Sequence, residues 1–297
     1  MANLKDIKRR IRSVKSTRKI TYAMKLVAAA KLRKSQDAVL VARDYMEALN
    51  IIAASALKAL KGKDYSHPLS KSSEESRSVL VVVIGGSRGL CGPYNTNIEK
   101  KVKELIEFYQ REKKELKFIL IGKKVGEFFR REKREYLKSY EDLKEDPFAW
   151  PLDEIYREVE GLFLNKEVSQ VDLVYTKFYS AVSMQVVSEK FLPVDTSFID
   201  EEKAKRLPAD LIFEPSAEEV LESVISKILS STLRQAALEA KTSENASRMV
   251  AMDNATRNAE ELIHTLTLYY NRLRQSSITN EILDIVGGAE ALRKGEL

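Results

Sequence analysis

Apolar residues recur at helical spacing through both ends of the chain. Near the start, Leu4, Ile7, Ile11 and Val14 step by three and four. Ile20, Met24 and Val27 resume after a one-residue slip, and Val39, Ala42, Met46, Leu49, Ala53, Ala56 and Leu60 keep a strict heptad. That spacing lines one stripe of a helix and predicts a coiled-coil seam. Toward the end, Leu229, Leu233, Ala236, Ala240, Ser243, Ser247 and Val250 step in the same way. After a shift come Ala255, Ala259, Leu262, Leu266, Tyr269 and Leu273, then Ile278, Ile282, Ile285, Ala289 and Leu292. Small residues fill the middle of this second seam and match Ala28, Ala29 and Ala30 in the first, so the two helices can approach closely there.

The middle of the chain has a different rhythm. Residues 77–84, an Arg followed by SVLVVVI, read as a buried strand running into a glycine loop, Gly85 to Gly92, and then a helix from about Asn95 to Arg111. Lys117 to Ile121 is a second buried strand, Lys124 to Arg131 a short helix and Asp153 to Leu164 another. Val171 to Phe178 and Ser183 to Phe191 form a hairpin about Ser180 to Val182. Strands alternating with helices predict a Rossmann-like α/β sheet closed by an antiparallel pair.

Glycine and proline set the boundaries, because each weakens a helix interior, by about 1 and about 3 kcal/mol respectively. Residues 1–61 contain neither, nor do residues 216–286; all seven prolines lie between Gly62 and Pro215. The expected organisation is a helix over 1–61, a Ser- and charge-rich linker over 62–76, an α/β domain over 77–215 and a helix over 216–297. The fold class is α/β, with an antiparallel coiled coil of long terminal helices added to the Rossmann-like domain.

The two helices differ in length. At about 1.5 Å per residue, Leu4 to Lys61 spans roughly 87 Å and Ala217 to Leu292 roughly 114 Å. Antiparallel pairing with Lys61 beside Ser216 makes partner numbers sum to about 277 and leaves the chain after about Leu273 without a mate. That overhang is apolar on more than one side, with Ile278, Ile282, Leu283, Ile285, Val286, Ala289 and Leu292. It needs a cover from another protein or a membrane, or it folds back on the middle domain.

Charge and composition narrow the chemistry. The net charge of +6 conceals twelve Lys or Arg against Asp6 alone in residues 1–34. A transit peptide, a nucleic-acid arm and a helix face meeting an acidic or polar partner all fit that pattern. Tyr22 is the only aromatic in the segment, which argues against a base-stacking arm. One cysteine, Cys91, excludes an intrachain disulfide, and two histidines, His67 and His264, argue against a zinc site. No apolar run reaches the roughly 20 residues of a membrane span, and no signal or transit peptide is evident. In the glycine loop, Gly86, Gly89 and Gly92 recur every third residue and no Lys-Ser/Thr pair follows, so the loop reads as a structural turn rather than a phosphate cradle, although Arg88 offers an anion a partner. Carboxylate pairs such as Glu201 with Glu202 are adjacent in sequence and do not face one another on a helix. No catalytic residue, cofactor site or metal site is assigned.

Three segments resemble the γ subunit family of F-type ATP synthases. LKDIKRRIRSVKSTRKITYAMKLVAAAKLRKSQ, from Leu4 to Gln36, looks like that family's opening helix. ASRMVAMDNATRNAEELI from Ala246, with YNRLRQSSITNEILDIVGGAEAL from Tyr270 to Leu292, is similar to its closing one, and GLCGPYN from Gly89 matches its loop motif. Ser87 departs from the family, which often has an acid before the Arg of this loop.

The resemblance implies a non-catalytic central-stalk rotor. Its helix pair turns inside an α3β3 hexamer, and its α/β domain meets the ε subunit and the c-ring. Proton or other ion flow is thereby coupled to the catalytic sites on the β subunits. It further implies a peripheral position on the cytoplasmic face of a bacterial-type membrane, and partner contacts at Arg274, Gln275, Thr279 and Glu281, with Met24 near the same level. The alternative function is a basic coiled-coil protein that binds nucleic acid.

Overall fold

The computed structural model describes residues 4–60, 67–70, 76–194 and 212–295, the last six as backbone only. Most of the 62–76 linker lies outside the described residues; within it, Pro68–Ser70 forms one 3-10 turn. The elements in chain order are α1 (Leu4–Ala59), β1 (Ser78–Ile84), α2 (Tyr94–Arg111), β2 (Glu115–Ile121), α3 (Lys123–Arg131), β3 (Lys138–Tyr140), α4 (Leu152–Leu164), β4 (Gln170–Ser180), β5 (Ser183–Leu192) and α5 (Ala217–Gly295). They group into two compact units, Ala28–Arg248 and Met1–Val27 with Met249–Leu297.

Within the larger unit the sheet order is β3-β2-β1-β4-β5. The first four strands are parallel, and β5 returns antiparallel to β4 through the expected hairpin, with Ser180 opposite Ser183. Every residue of β1 is buried, which is why its sequence is a continuous apolar run rather than an alternation. Its pleat divides the run. Val79, Val81 and Val83 join Ile98, Val102 and Ile106 of α2 and Phe128 of α3 on one face. Leu80, Val82 and Ile84 join Ile155 and Val159 of α4, Leu221, Ile225 and Leu233 of α5, and Leu49 and Ala53 of α1 on the other. The sheet is therefore covered on both sides, as a parallel sheet requires.

The glycine loop leaves β1 and crosses the start of α3. Gly122 sits at φ 112°, and a β-carbon there would collide with the Gly85 carbonyl; one on Gly85 would collide with Val125. The two glycines let β1 and β2 release their chains at the same height. Further along, all twelve residues of α5 from Ala236 to Ser247 are buried, small and polar ones included.

In the smaller unit, residues 4–27 of α1 run antiparallel to the last part of α5. Lys25 Nζ meets Asp253 Oδ1 at 2.6 Å, Thr256 Oγ1 donates to Thr21 Oγ1 at 2.8 Å, and Arg18 reaches Glu260 at 3.3 Å. These partner numbers sum to 277 or 278, matching the expected register. The expected slip is absent. The α1 seam is an unbroken heptad through Ile7, Val14, Thr21 and Ala28, with polar Arg18 and Lys25 on its second row; Ile20 and Val27 point outward at 60% and 54% exposure. Polar side chains hold seam positions here because each finds a polar mate on α5. The α5 seam likewise runs through Met252, Thr256, Ala259, Ile263, Leu266, Tyr270 and Leu273, which leaves Leu262 and Tyr269 on the outer face.

Candidate functional site

In an open α/β sheet, ligands bind beyond the strand C-termini where the strand order reverses, here between β1 and β4. The glycine loop stands at that crevice, and α5 fills it. Tyr94 donates its hydroxyl to the Ala240 carbonyl at 3.0 Å, Ser243 to the Thr176 carbonyl at 3.1 Å and Ser247 to the Cys91 carbonyl at 2.6 Å. The Phe178 N–H donates to Glu239 Oε2 at 3.4 Å, and Arg248 donates to the Gly89 carbonyl at 3.3 Å. The loop is also braced from within, since Gly86 N–H donates to Asn95 Oδ1 at 3.0 Å. It serves as a seat for α5, in keeping with the structural reading of its glycines. Cys91 is buried, and that burial pushes its thiol up despite the pull of Arg248, as for a thiol packed in the core.

A second cluster joins the same elements through charge. Glu145, between β3 and α4, is approached by Lys31 of α1 at 3.0 Å, Lys241 of α5 at 3.2 Å and Arg88 of the glycine loop at 3.8 Å. Lys241 also reaches Glu244 at 3.2 Å, and Glu244 in turn holds Arg248. Burial alone would raise the Glu145 carboxyl, yet Lys241 and Lys31 hold it below the usual carboxylate range. Lys241 and Glu244 have side chains only 9% and 4% exposed, so each needs its partner.

The residues expected to meet partners lie on the smaller unit. Arg274, Gln275, Thr279 and Glu281 are exposed on successive turns of α5; Thr279 donates to the Gln275 carbonyl at 2.9 Å, and Ser277 to Glu281 at 3.5 Å. Met24 is half-buried at the seam. It does not share their level. The Lys25–Asp253 pair fixes Met24 beside the start of this α5 segment, roughly 30 Å along the helix from Arg274 at about 1.5 Å per residue. Lys25 also holds the Asp253 carboxyl below its usual range by hydrogen bonding to it. Beyond Leu273, Ile278, Ile282, Leu283, Ile285 and Val286 are 45–72% exposed.

A family model described as ATP synthase matches residues 3–292. The ATP synthase gamma chain of Trichormus variabilis is 39% identical over 98% of this chain and all of that one, and that of Moorella thermoacetica 40% identical over 99% and all of that one. The chain belongs to the ATP synthase gamma-chain family. Among solved structures, a chain of the Euglena gracilis mitochondrial ATP synthase (OSCP/F1/c-ring) aligns with a TM-score of 0.66 at 20% identity, over 99% of this chain and 95% of that one. A chain of the Tetrahymena thermophila mitochondrial ATP synthase central stalk and c-ring aligns at 0.55 and 24% identity, over 80% and 99%. Those likenesses show a shared fold.

Sequence reasoning missed Glu145 and the Thr21–Thr256 contact. Thr21 carried a signal, a polar residue repeating at seven from Val14 and Ala28. Glu145 carried none, because its three cations come from positions 31, 88 and 241.

Proposed function

We propose that this chain is the central-stalk rotor of an F-type ATP synthase, without catalytic residues of its own, set within an α3β3 hexamer and meeting the ε subunit and the c-ring. Its proposed division is a helical arm within 1–61, a linker within 62–76, an α/β domain within 77–215 and a helical arm within 216–297; the described helices run over Leu4–Ala59 and Ala217–Gly295. The observation that carries this reading is the apolar tip: five large aliphatic side chains between Ile278 and Val286 stand 45–72% exposed. Burying a side chain of that size is worth about 1.5–3 kcal/mol, so a sleeve of partner subunits around the tip is strongly favoured over water. Below the tip, Arg274 and Gln275 offer directional polar contacts to a β-subunit loop, with the Arg274 guanidinium as the fork that a carboxylate matches, and Thr279 and Glu281 stand just above them, among the apolar residues of the tip. Met24 is a second contact, at its own level.

No described helix is long and apolar enough to cross a membrane. The chain is then held peripherally, through the membrane sector, on the cytoplasmic face. As a shaft turning within three equivalent catalytic sites it would favour a different conformation at each, which is how a ligand with unequal affinity biases an equilibrium. Co-expression with α and β subunits tests the reading. One copy per three α and three β is expected, and a stoichiometry of one copy per α/β pair would overturn it.

A further inference from the structure

Between α1 and β1, the Pro68–Ser70 turn packs against α4, and its buried Leu69 joins Ile155 and Val159 of α4 and Leu221 and Ile225 of α5 in the core. The Leu69 carbonyl accepts from the Val194 N–H at 2.7 Å, which ties the turn to the chain just past β5. His67 closes the turn from its N-terminal side. It is 4% exposed, and its Nδ1 accepts from the Leu69 N–H at 3.1 Å, while the Ser70 hydroxyl and N–H donate to the His67 carbonyl at 2.7 and 3.0 Å. Nε2 is buried without a hydrogen-bond partner. Among the described residues, the charged groups that act on the ring are Glu222 of α5 and Glu160 of α4, the latter held by the Tyr156 hydroxyl at 2.7 Å; residues 192–194 bring none.

A ring nitrogen that accepts a hydrogen bond cannot also carry a proton. In imidazolium both nitrogens are donors, so the new Nδ1 proton would face the Leu69 N–H, and Nε2 has no acceptor for its own. Glu222 and Glu160 attract the charge without hydrogen-bonding to it, which leaves two buried donors and a cation unsatisfied. We infer that His67 is an acid-released latch: neutral, it holds the turn on α4 and on the chain after β5; protonated, it leaves its place, and the turn gives up the Val194 N–H and uncovers the core beneath Leu69. The release is local, because the turn hangs on these few bonds whereas β1 is paired along both edges. The latch lies within the larger unit and does not depend on the rotor reading.

The test is amide hydrogen exchange of the full-length chain, read by NMR at Leu69 and Val194 and, for comparison, at Val81 and Val83 of β1. An open turn whose histidine titrates near the ordinary value of about 6.5 should lower the protection of the Leu69 and Val194 amides about tenfold between pH 7.5 and 5.5, after correction for the intrinsic rate. Both amides should be less protected than those of β1 at each pH. His67→Asn keeps a side-chain acceptor for the Leu69 N–H and cannot titrate, so it should hold the turn with protection independent of pH. Protection at Leu69 and Val194 that does not change with pH in the unmodified chain would overturn the proposal. The same fall in His67→Asn would do so too, and so would protection equal to that of β1, which would mean that the turn opens only when the whole unit unfolds.

Discussion

His67 illustrates how one side chain sets a pH response. Its Nδ1 accepts from the Leu69 N–H at 3.1 Å, so the neutral ring carries its proton on Nε2, which is buried without a partner. Burial pushes its pKa below 6.5, and the nearby Glu222 and Glu160 only partly offset this. The unfolded chain then binds more protons than the folded one just below 6.5, so stability is fully present above that pH and is lost as pH falls through 6.5 toward the folded value. Denaturant titrations at pH 7.5 and 5.5 should show this loss in the unmodified chain and a smaller one in His67→Phe. Three lysines make a different point at the same scale. Lys113, Lys133 and Lys166 follow α2, α3 and α4 with φ of 55°, 52° and 60°, each within a Schellman closure such as Lys114 N–H to the Tyr109 carbonyl. A left-handed conformation costs a side-chain-bearing residue about 1–2 kcal/mol, and glycine returns part of that as unfolded-state entropy. Each Lys→Gly change should raise stability by about 0.5–1 kcal/mol in thermal melts.

At the scale of elements, α5 between Ala236 and Ser247 is, like β1, enclosed along its whole length in the larger unit. Ala240 is 1% exposed, and its carbonyl receives the Tyr94 hydroxyl. Ala240→Leu should cost about 1–3 kcal/mol through overpacking, with the near-ultraviolet signal of Tyr94 as a local reporter. The long apolar run of β1, the amphipathic spacing of α2 and the hairpin were legible from sequence to within a few residues, because burial on both faces, on one stripe or at a tight turn each leaves a local pattern. β3 was not. It is three residues long, too short to alternate, and is held by pairing Ile119 with Lys138 and Ile121 with Tyr140 at the sheet edge. The seam was legible in register and not in membership. Ile20 and Val27 look like seam residues to any apolar count, while Thr21 and Lys25 hold the seam through mates more than two hundred positions away. Separations of 57 to 114 positions hid the Glu145 cluster in the same way, whereas Arg274, Gln275, Thr279 and Glu281 were visible only through resemblance, since an exposed polar turn has no internal signature.

For the molecule as a whole, the uncovered polar turn and the apolar tip make separate predictions. In the assembled complex, Arg274→Ala should weaken coupling between ATP hydrolysis and ion pumping, measured in inverted vesicles, while leaving the subunit stoichiometry unchanged. Ile282→Asp should instead reduce incorporation of the chain into the complex, because a charge entering an apolar sleeve loses its hydration.

The complete enclosure of α5 from Ala236 to Ser247 carries one more consequence, for hydrogen exchange. Water can reach the amides of those twelve residues only when the surrounding layers open, so their deuterium uptake should track global unfolding of the larger unit and slow together as a block. Amides between Ile278 and Ala289 belong to the same continuous helix but have exposed side chains, and should exchange by fraying within a single turn. Two parts of one helix would then carry clocks of very different rates.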